Sequence, residues 1–160
     1  MSRPEANKAQ VRRYFDAIGR GDFDAVEAMM APELRFWCAG GTGAAESVVF
    51  RSPSQLRTDL DHSLGDLYDR EAGIQPDVLS MTAEADRVVA EVRIRGRSAR
   101  TGEDYDNLYA FFFWLDGELF REIHEHLDTA YVSRVLLEPA GIGSGAEMPW
   151  LADDAAEGEA

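Results

Sequence analysis

The chain has 160 residues, 45% of them apolar and 29% charged, with 16 basic against 30 acidic side chains and a net charge of −14. That length and composition describe one globular domain able to bury a substantial core. The negative charge disfavours nucleic acid and anionic membrane surfaces as partners, and no apolar run approaches the roughly 18 residues of a membrane span. A single cysteine, Cys38, rules out an internal disulfide, and with no basic-then-apolar leader the chain is expected to be cytoplasmic.

Val11, Tyr14, Phe15 and Ile18 recur at i, i+3, i+4 and i+7, which predicts an amphipathic first helix. Ser2 and Glu5 around Pro4 suggest a capping box, and Gly19-Arg-Gly21 stops the helix. Asp22 is placed to cap a short second helix carrying Phe23, Val26, Met29 and Met30 inward, and Pro32 is expected to end it. Leu34 to Cys38 then reads as a short strand, followed by the flexible loop Ala39-Gly-Gly-Thr-Gly43. Ser52-Pro-Ser-Gln55 is a helix start, and Leu56, Leu60, Leu64 and Leu67 give a third amphipathic helix.

After Gly73 the period changes to two. Ile74 to Thr82 and Asp86 to Arg97 read as strands, the latter with Val88, Ala90, Val92 and Ile94 on one face and Glu91, Arg93 and Arg95 on a solvated one. A long hairpin follows from Tyr105 to Tyr131, turning at Asp116-Gly117, where a type I′ turn would need positive φ at both central positions. Three helices followed by a curved antiparallel sheet make an α+β single-layer cone, with the helices closing over the concave face above an apolar pocket. The domain is expected to span residues 1–138, and residues 139–160, rich in Gly, Ala and acids, to form a mobile tail.

On the last strand Leu119, Ile123 and Leu127 share a face with Glu125. A carboxylate alone among aliphatic residues on a core-facing strand is neutral, paired or functional, because burying it ionised is expensive. Glu125 is therefore the leading candidate for a general acid or base, unless a one-residue bulge near Glu122-Ile123 turns it to solvent. Tyr14 is a candidate hydrogen-bond donor to an oxyanion, the alternative being a buried ring whose hydroxyl bonds backbone. Asn107, Tyr109 and Phe111 share a strand face, and with Trp37 and Cys38 they are assigned as the lining of a substrate pocket, sheet packing being the alternative. His124, His126 and Asp128 lie on one strand face, but the outer two are about 13 Å apart, so a polar or dimer-facing surface is expected rather than a metal site.

The order and spacing of these elements over about residues 8–137 resemble the nuclear transport factor 2-like superfamily, which includes ketosteroid isomerases, limonene-epoxide hydrolase-like enzymes and SnoaL-like polyketide cyclases. The resemblance rests on Val11-Arg-Arg-Tyr-Phe-Asp-Ala-Ile-Gly-Arg-Gly-Asp-Phe-Asp-Ala-Val26 and on Asp116-Gly-Glu-Leu-Phe-Arg-Glu-Ile-His-Glu-His-Leu-Asp-Thr129. It implies the cone fold; the fold itself hosts many functions. Tyr14 falls where the isomerases carry an oxyanion-binding Tyr, whereas Cys38 and Phe111 stand where they carry a base Asp and a protonated Asp. The Arg and Asp of the epoxide hydrolases fall among Glu91, Arg93 and Arg95 in the wrong order. Glu125 matches the last-strand acid of the cyclases, whose partner His has no match between Tyr105 and Leu115.

The expected function is that of a cofactor-independent enzyme acting on a small, apolar, oxygenated molecule by acid/base chemistry, with isomerisation, cyclisation, dehydration and epoxide opening all open. The alternative is a non-catalytic binding or dimerisation module of the same fold. Leu108, Ala110, Phe112 and Trp114 make the second face of the penultimate strand apolar, so a homodimer through the sheet is expected.

Overall fold

The structure is a computed structural model in which residues 2–39 and 48–143 are described. The element order is α1 (Arg3–Arg20), α2 (Phe23–Ala28), β1 (Met30–Cys38), β2 (Val48–Phe50), α3 (Pro53–His62), β3 (Gln75–Glu84), β4 (Arg87–Arg97), β5 (Asp104–Asp116), β6 (Leu119–Leu127) and α4 (Thr129–Val132). The six strands form one sheet in the order β2-β1-β6-β5-β4-β3. The helices cover one face of it, as expected of the cone. The sheet is mixed, however, not purely antiparallel: β1 runs parallel to β6, pairing Phe36 with Ile123 and Cys38 with Glu125. Among the described residues no helix is long and apolar enough to cross a membrane.

The amphipathic stripe of α1 is its buried face: Val11, Tyr14, Phe15 and Ile18 are all in the core. Ser2 precedes the helix without a side-chain cap bond, so the expected capping box does not form, while Gly21 ends it in the left-handed conformation at φ 67. Asp22 does cap α2, accepting from Ala25 N–H, and Ser52 caps α3, accepting from Gln55 N–H. Met30 and Pro32 belong to β1, not to the second helix. Pro32 is tolerated there because the β1–β6 register shifts between Met30 and Arg35, where its missing N–H removes no ladder bond. The third helix also ends earlier than its leucine spacing suggests. Leu64 (ψ 92) and Gly65 (φ 128) leave helical geometry inside the turn Ser63–Leu67, which brings Leu67 and Tyr68 into the core.

A bulge adjusts the last strand. Trp114 pairs with Glu122 and Leu115 with Phe120, leaving Arg121 as the extra residue. Phe120 thereby turns into the core and Leu119 out to 37% exposure, reversing the face expected for Leu119. Beyond the bulge the alternation resumes with Ile123, Glu125 and Leu127 inward. The β5–β6 turn is centred on Gly117-Glu118; only Gly117 takes a positive φ (61), the pattern of a type II′ turn and not the expected I′.

Helix α1 ties both hairpin turns to the core. Buried Asn7 donates to Ala85 O (3.0 Å) in the β3–β4 turn, and Gln10, one turn further on, donates to Glu118 O (2.7 Å) in the β5–β6 turn. Ala85 is held at φ 52, a conformation unfavourable for a side chain with a Cβ. At the other end the core runs on through Val135, Leu136 and Ile142, so packing extends past the boundary expected after residue 138; the rest of the expected tail lies outside the described residues. The Ala39–Gly43 loop likewise falls almost wholly outside them.

Replacing Asn7 with alanine removes the anchor of the strained β3–β4 turn and leaves Ala85 O unpaired. The variant should lose about 1–2 kcal/mol of stability, measured by urea unfolding; an unchanged midpoint would mean that α1 does not hold this turn.

Candidate functional site

The inward side chains of β5 and β6 meet those of β1, α1 and α3 around Glu125. The parallel pairing of β1 and β6 sets Cys38 beside Glu125, and Ala39 N–H donates to Glu125 O at 2.9 Å, fixing the backbone there. The Cys38 thiol stands between the Ala39 carbonyl, at a long 3.9 Å, and the Glu125 carboxyl, the stronger acceptor. From α3, Asp59 acts electrostatically on Glu125, Cys38 and Tyr14 alike. From α1, Tyr14 is 2% exposed, its ring edge-on to Phe15, Phe113 and Phe120 at 5.0–5.6 Å. Both Glu125 and Asp59 push its phenol pKa further up, after burial itself.

Burial pushes the Glu125 carboxyl up to about 8, helped by Asp59 and opposed only by the Cys38 thiol. As a whole residue Glu125 keeps some exposure. Its carboxyl itself is surrounded by protein. A carboxyl that holds its proton near neutrality can both give and accept one.

A tyrosine network adjoins the acids. Asn107 Nδ2 donates to Tyr105 Oη (3.0 Å) and to Asp128 O (3.2 Å), and the Tyr105 and Tyr109 hydroxyls share a hydrogen bond of 2.6 Å. Tyr68 packs edge-on to Tyr105 at 5.4 Å. Its ring lies against Gly96, where any Cβ would stand 2.7 Å from Tyr68 Cδ1, so β4 must carry glycine there for Tyr68 to reach the network. Burial raises all three phenols, Tyr105 to about 12, and the charge of Glu125 raises them further. They are neutral hydrogen-bond donors and acceptors at physiological pH.

The structure thus brings together Glu125, Tyr14, Cys38, Tyr109 and Phe111, with Asn107 behind them bracing Tyr105. Trp37 does not join them. It points to the other face of the sheet, its ring 5.5 Å from His124 and 4.8 Å from His126, because strand alternation sends it opposite to Cys38. His124 bonds Glu122 (2.7 Å), and Asp128 caps α4 by accepting from Tyr131 N–H (3.0 Å). Among the described residues no group of three His, Cys, Asp or Glu side chains is placed to hold a metal ion. Three contributors carry no role in the sequence reading: Asp59, Tyr68 and Tyr105. Asp59 had a signal, since it lies three residues after buried Leu56 on the same helical stripe.

The chain belongs to the SnoaL-like domain family, whose model matches residues 11–123. Similar solved structures include an NTF2-like protein of unknown function from Burkholderia pseudomallei (TM-score 0.72, 18% identity, covering 85% of this chain and 98% of that one). A putative polyketide cyclase from Xanthomonas campestris pv. campestris has TM-score 0.68 and 20% identity, covering 82% of this chain and 100% of that one. An LEH-like epoxide hydrolase from M. tuberculosis has TM-score 0.65 and 16% identity, covering 86% of this chain and 94% of that one. At these identities the likeness concerns the fold. No curated protein matches the sequence.

The raised carboxyl pKa has a signed consequence for stability. Below the ordinary glutamate value, near 4.5, folded and unfolded chains both hold the proton and Glu125 costs nothing. As pH rises from there to about 8, the unfolded chain releases it first, so stability falls, by up to about 1.4 kcal/mol per pH unit. Glu125→Gln removes this penalty. Its stability advantage over the wild type should widen between about pH 5 and about pH 8 in urea melts; a constant difference would contradict the buried setting.

Proposed function

We propose that the chain is a cofactor-independent enzyme acting on a small, apolar, oxygenated molecule by general acid/base catalysis. The observation that supports this most is the Glu125 carboxyl, pushed up to about 8 among Tyr14, Cys38 and Asp59 on the covered face of the sheet. In this reading Glu125 carries the proton. The Tyr14 hydroxyl donates to the substrate oxygen on which charge develops, and Tyr109, backed by Tyr105 and Asn107, supplies a second donor from the opposite wall. Phe111, stacked between Tyr109 and Phe113 at 5.6 and 5.8 Å, gives the apolar surface against which the substrate lies.

The missing isomerase acids at Cys38 and Phe111 argue against steroid-isomerase chemistry by that route. The position of Arg93, paired with Asp106 on the outer face, argues against the epoxide-hydrolase arrangement. Proton-transfer isomerisation or cyclisation fits the remaining groups better. With a substrate found by screening carbonyl and polyketide-like metabolites, Glu125→Gln should lower kcat roughly 100-fold with KM little changed, and Tyr14→Phe roughly 10-fold. Wild-type turnover in Glu125→Gln would show that Glu125 is not the proton carrier, whereas tight binding with no turnover of any screened compound would support a binding module.

We also propose that two copies pair through the outer face of the sheet. Support comes from Leu108, 55% exposed, beside a ring cluster in which Trp114 lies 4.7 Å from His124 and Phe112 lies 5.5 Å from His126. Sedimentation at micromolar concentration should give a dimer mass that Leu108→Glu reduces to monomer; a wild-type monomer would refute the pairing.

A further inference from the structure

A second recess, of about 310 Å³, opens between α1 and the β5–β6 turn. Helix α1 lines it with Ala6, Ala9, Gln10 and Arg13, and the turn with Gly117 and Glu118. Glu118 precedes Glu125 by seven residues, roughly 20 Å of extended chain, so the recess is separate from the acid described above.

Gln10 leaves one hydrogen bond unmade there. The residue is 6% exposed, and its Nε2 donates to Glu118 O at 2.7 Å. Its Oε1 is buried and has no partner among the described residues. The bond to Glu118 O fixes which amide atom is which, since the reverse orientation would set two acceptor oxygens 2.7 Å apart. Buried acceptors without a partner are rare, because the water they lose is not replaced. The orphan oxygen therefore marks a place for a donor that the chain does not itself supply. A single water, whose share of liquid volume is about 30 Å³, fills only a small part of the recess.

Two opposite charges flank that oxygen. Arg13 meets Glu118 only at 3.9 Å, beyond hydrogen-bond distance, and both side chains are more than half exposed. The other polar groups nearby are engaged elsewhere: Lys8 with Glu5 (3.1 Å), Arg121 with Asp86 (2.9 Å) and Asn7 with Ala85 O (3.0 Å). Gln10 and Arg13 stand three residues apart on one helical face, about 5–6 Å between Cβ atoms, so one small molecule can touch both. Ala6, Ala9 and Gly117 add small, apolar walls.

We propose that this recess binds a small α-amino acid with an apolar side chain. Its ammonium donates to Gln10 Oε1 and pairs with the Glu118 carboxylate, and its carboxylate takes the Arg13 guanidinium. Its side chain lies against Ala6, Ala9 and Gly117. The polar contacts joining the turn to α1 are the Gln10 hydrogen bond and the long Arg13 pair, so a slight outward shift of Gly117-Glu118 lets the ammonium reach the buried oxygen. The site stands independently of the chemistry at Glu125.

The test titrates the full chain, labelled with 15N, with L-valine at neutral pH, following the Gln10 side-chain amide and the Gly117 backbone amide by NMR. The controls are 3-methylbutanoate, which lacks the ammonium, and L-valinamide, which lacks the carboxylate. L-Valine should shift both signals saturably, and each control should bind roughly 10-fold or more weakly. Arg13→Gln, a change at an exposed side chain, should reduce L-valine to the affinity of L-valinamide, while Glu125→Gln should bind L-valine as the wild type does. No saturable shift with L-valine would mean that water alone meets the orphan oxygen, and would overturn the proposal. Equal binding of either control, full affinity in Arg13→Gln, or loss of binding in Glu125→Gln would overturn it as well.

Discussion

A carboxyl group taken out of water must find a proton, a partner charge or a ligand, and the arrangement around Glu125 follows from that constraint. The chain could have turned this residue outward; instead the bulge at Arg121 resets the alternation so that Ile123, Glu125 and Leu127 face the helices. Parallel pairing with β1 then delivers a thiol to the carboxyl, and α3 delivers a second acid. The neighbours so gathered raise the carboxyl pKa and do little to lower it. A fold selected for stability alone gains nothing from this, since apolar packing at residue 125 would avoid the penalty.

Helix α1 serves architecture and chemistry with one face. Asn7 and Gln10 grip the two hairpin turns, while Tyr14, one turn further along, lies in the field of Glu125 and Asp59. The position of Tyr14 is therefore set by contacts at the far end of the sheet. A second brace works from the opposite side: Gly96 admits the Tyr68 ring, and Asn107 holds Tyr105 against Tyr109, so the phenols form a rigid wall of neutral donors. Rigid, preorganised donors are what oxyanion stabilisation requires.

Much of this was legible in the sequence where periodicity carries the information. The stripe of α1, the caps at Asp22 and Ser52, the inward row of β5 and the anomalous Glu125 all follow from spacing and residue type. What was not legible depends on partners far apart in the chain. The parallel β1–β6 pairing, and with it the contact of Cys38 with Glu125, joins segments that no local signal links. Strict alternation places Leu119 inward because it ignores bulges, and Pro32 reads as a helix stop because an irregular strand register leaves no local trace. Trp37 cannot share an inward face with its neighbour Cys38, and its aromatic character suits either face. Asp59 lies between Leu56 and Leu60 on the helix, and only the packing of α3 over the sheet brings its charge to bear on Glu125.

Glu125 holds its proton near neutrality because protein surrounds its carboxyl and a second acid, Asp59, acts on it. Carbon-detected NMR titration of the glutamate side-chain carboxyls, with Glu125 assigned by the signal lost in Glu125→Gln, measures this directly. The expected Glu125 midpoint is about 8. A midpoint at the ordinary glutamate value near 4.5 would show that water reaches the carboxyl freely, and would contradict it.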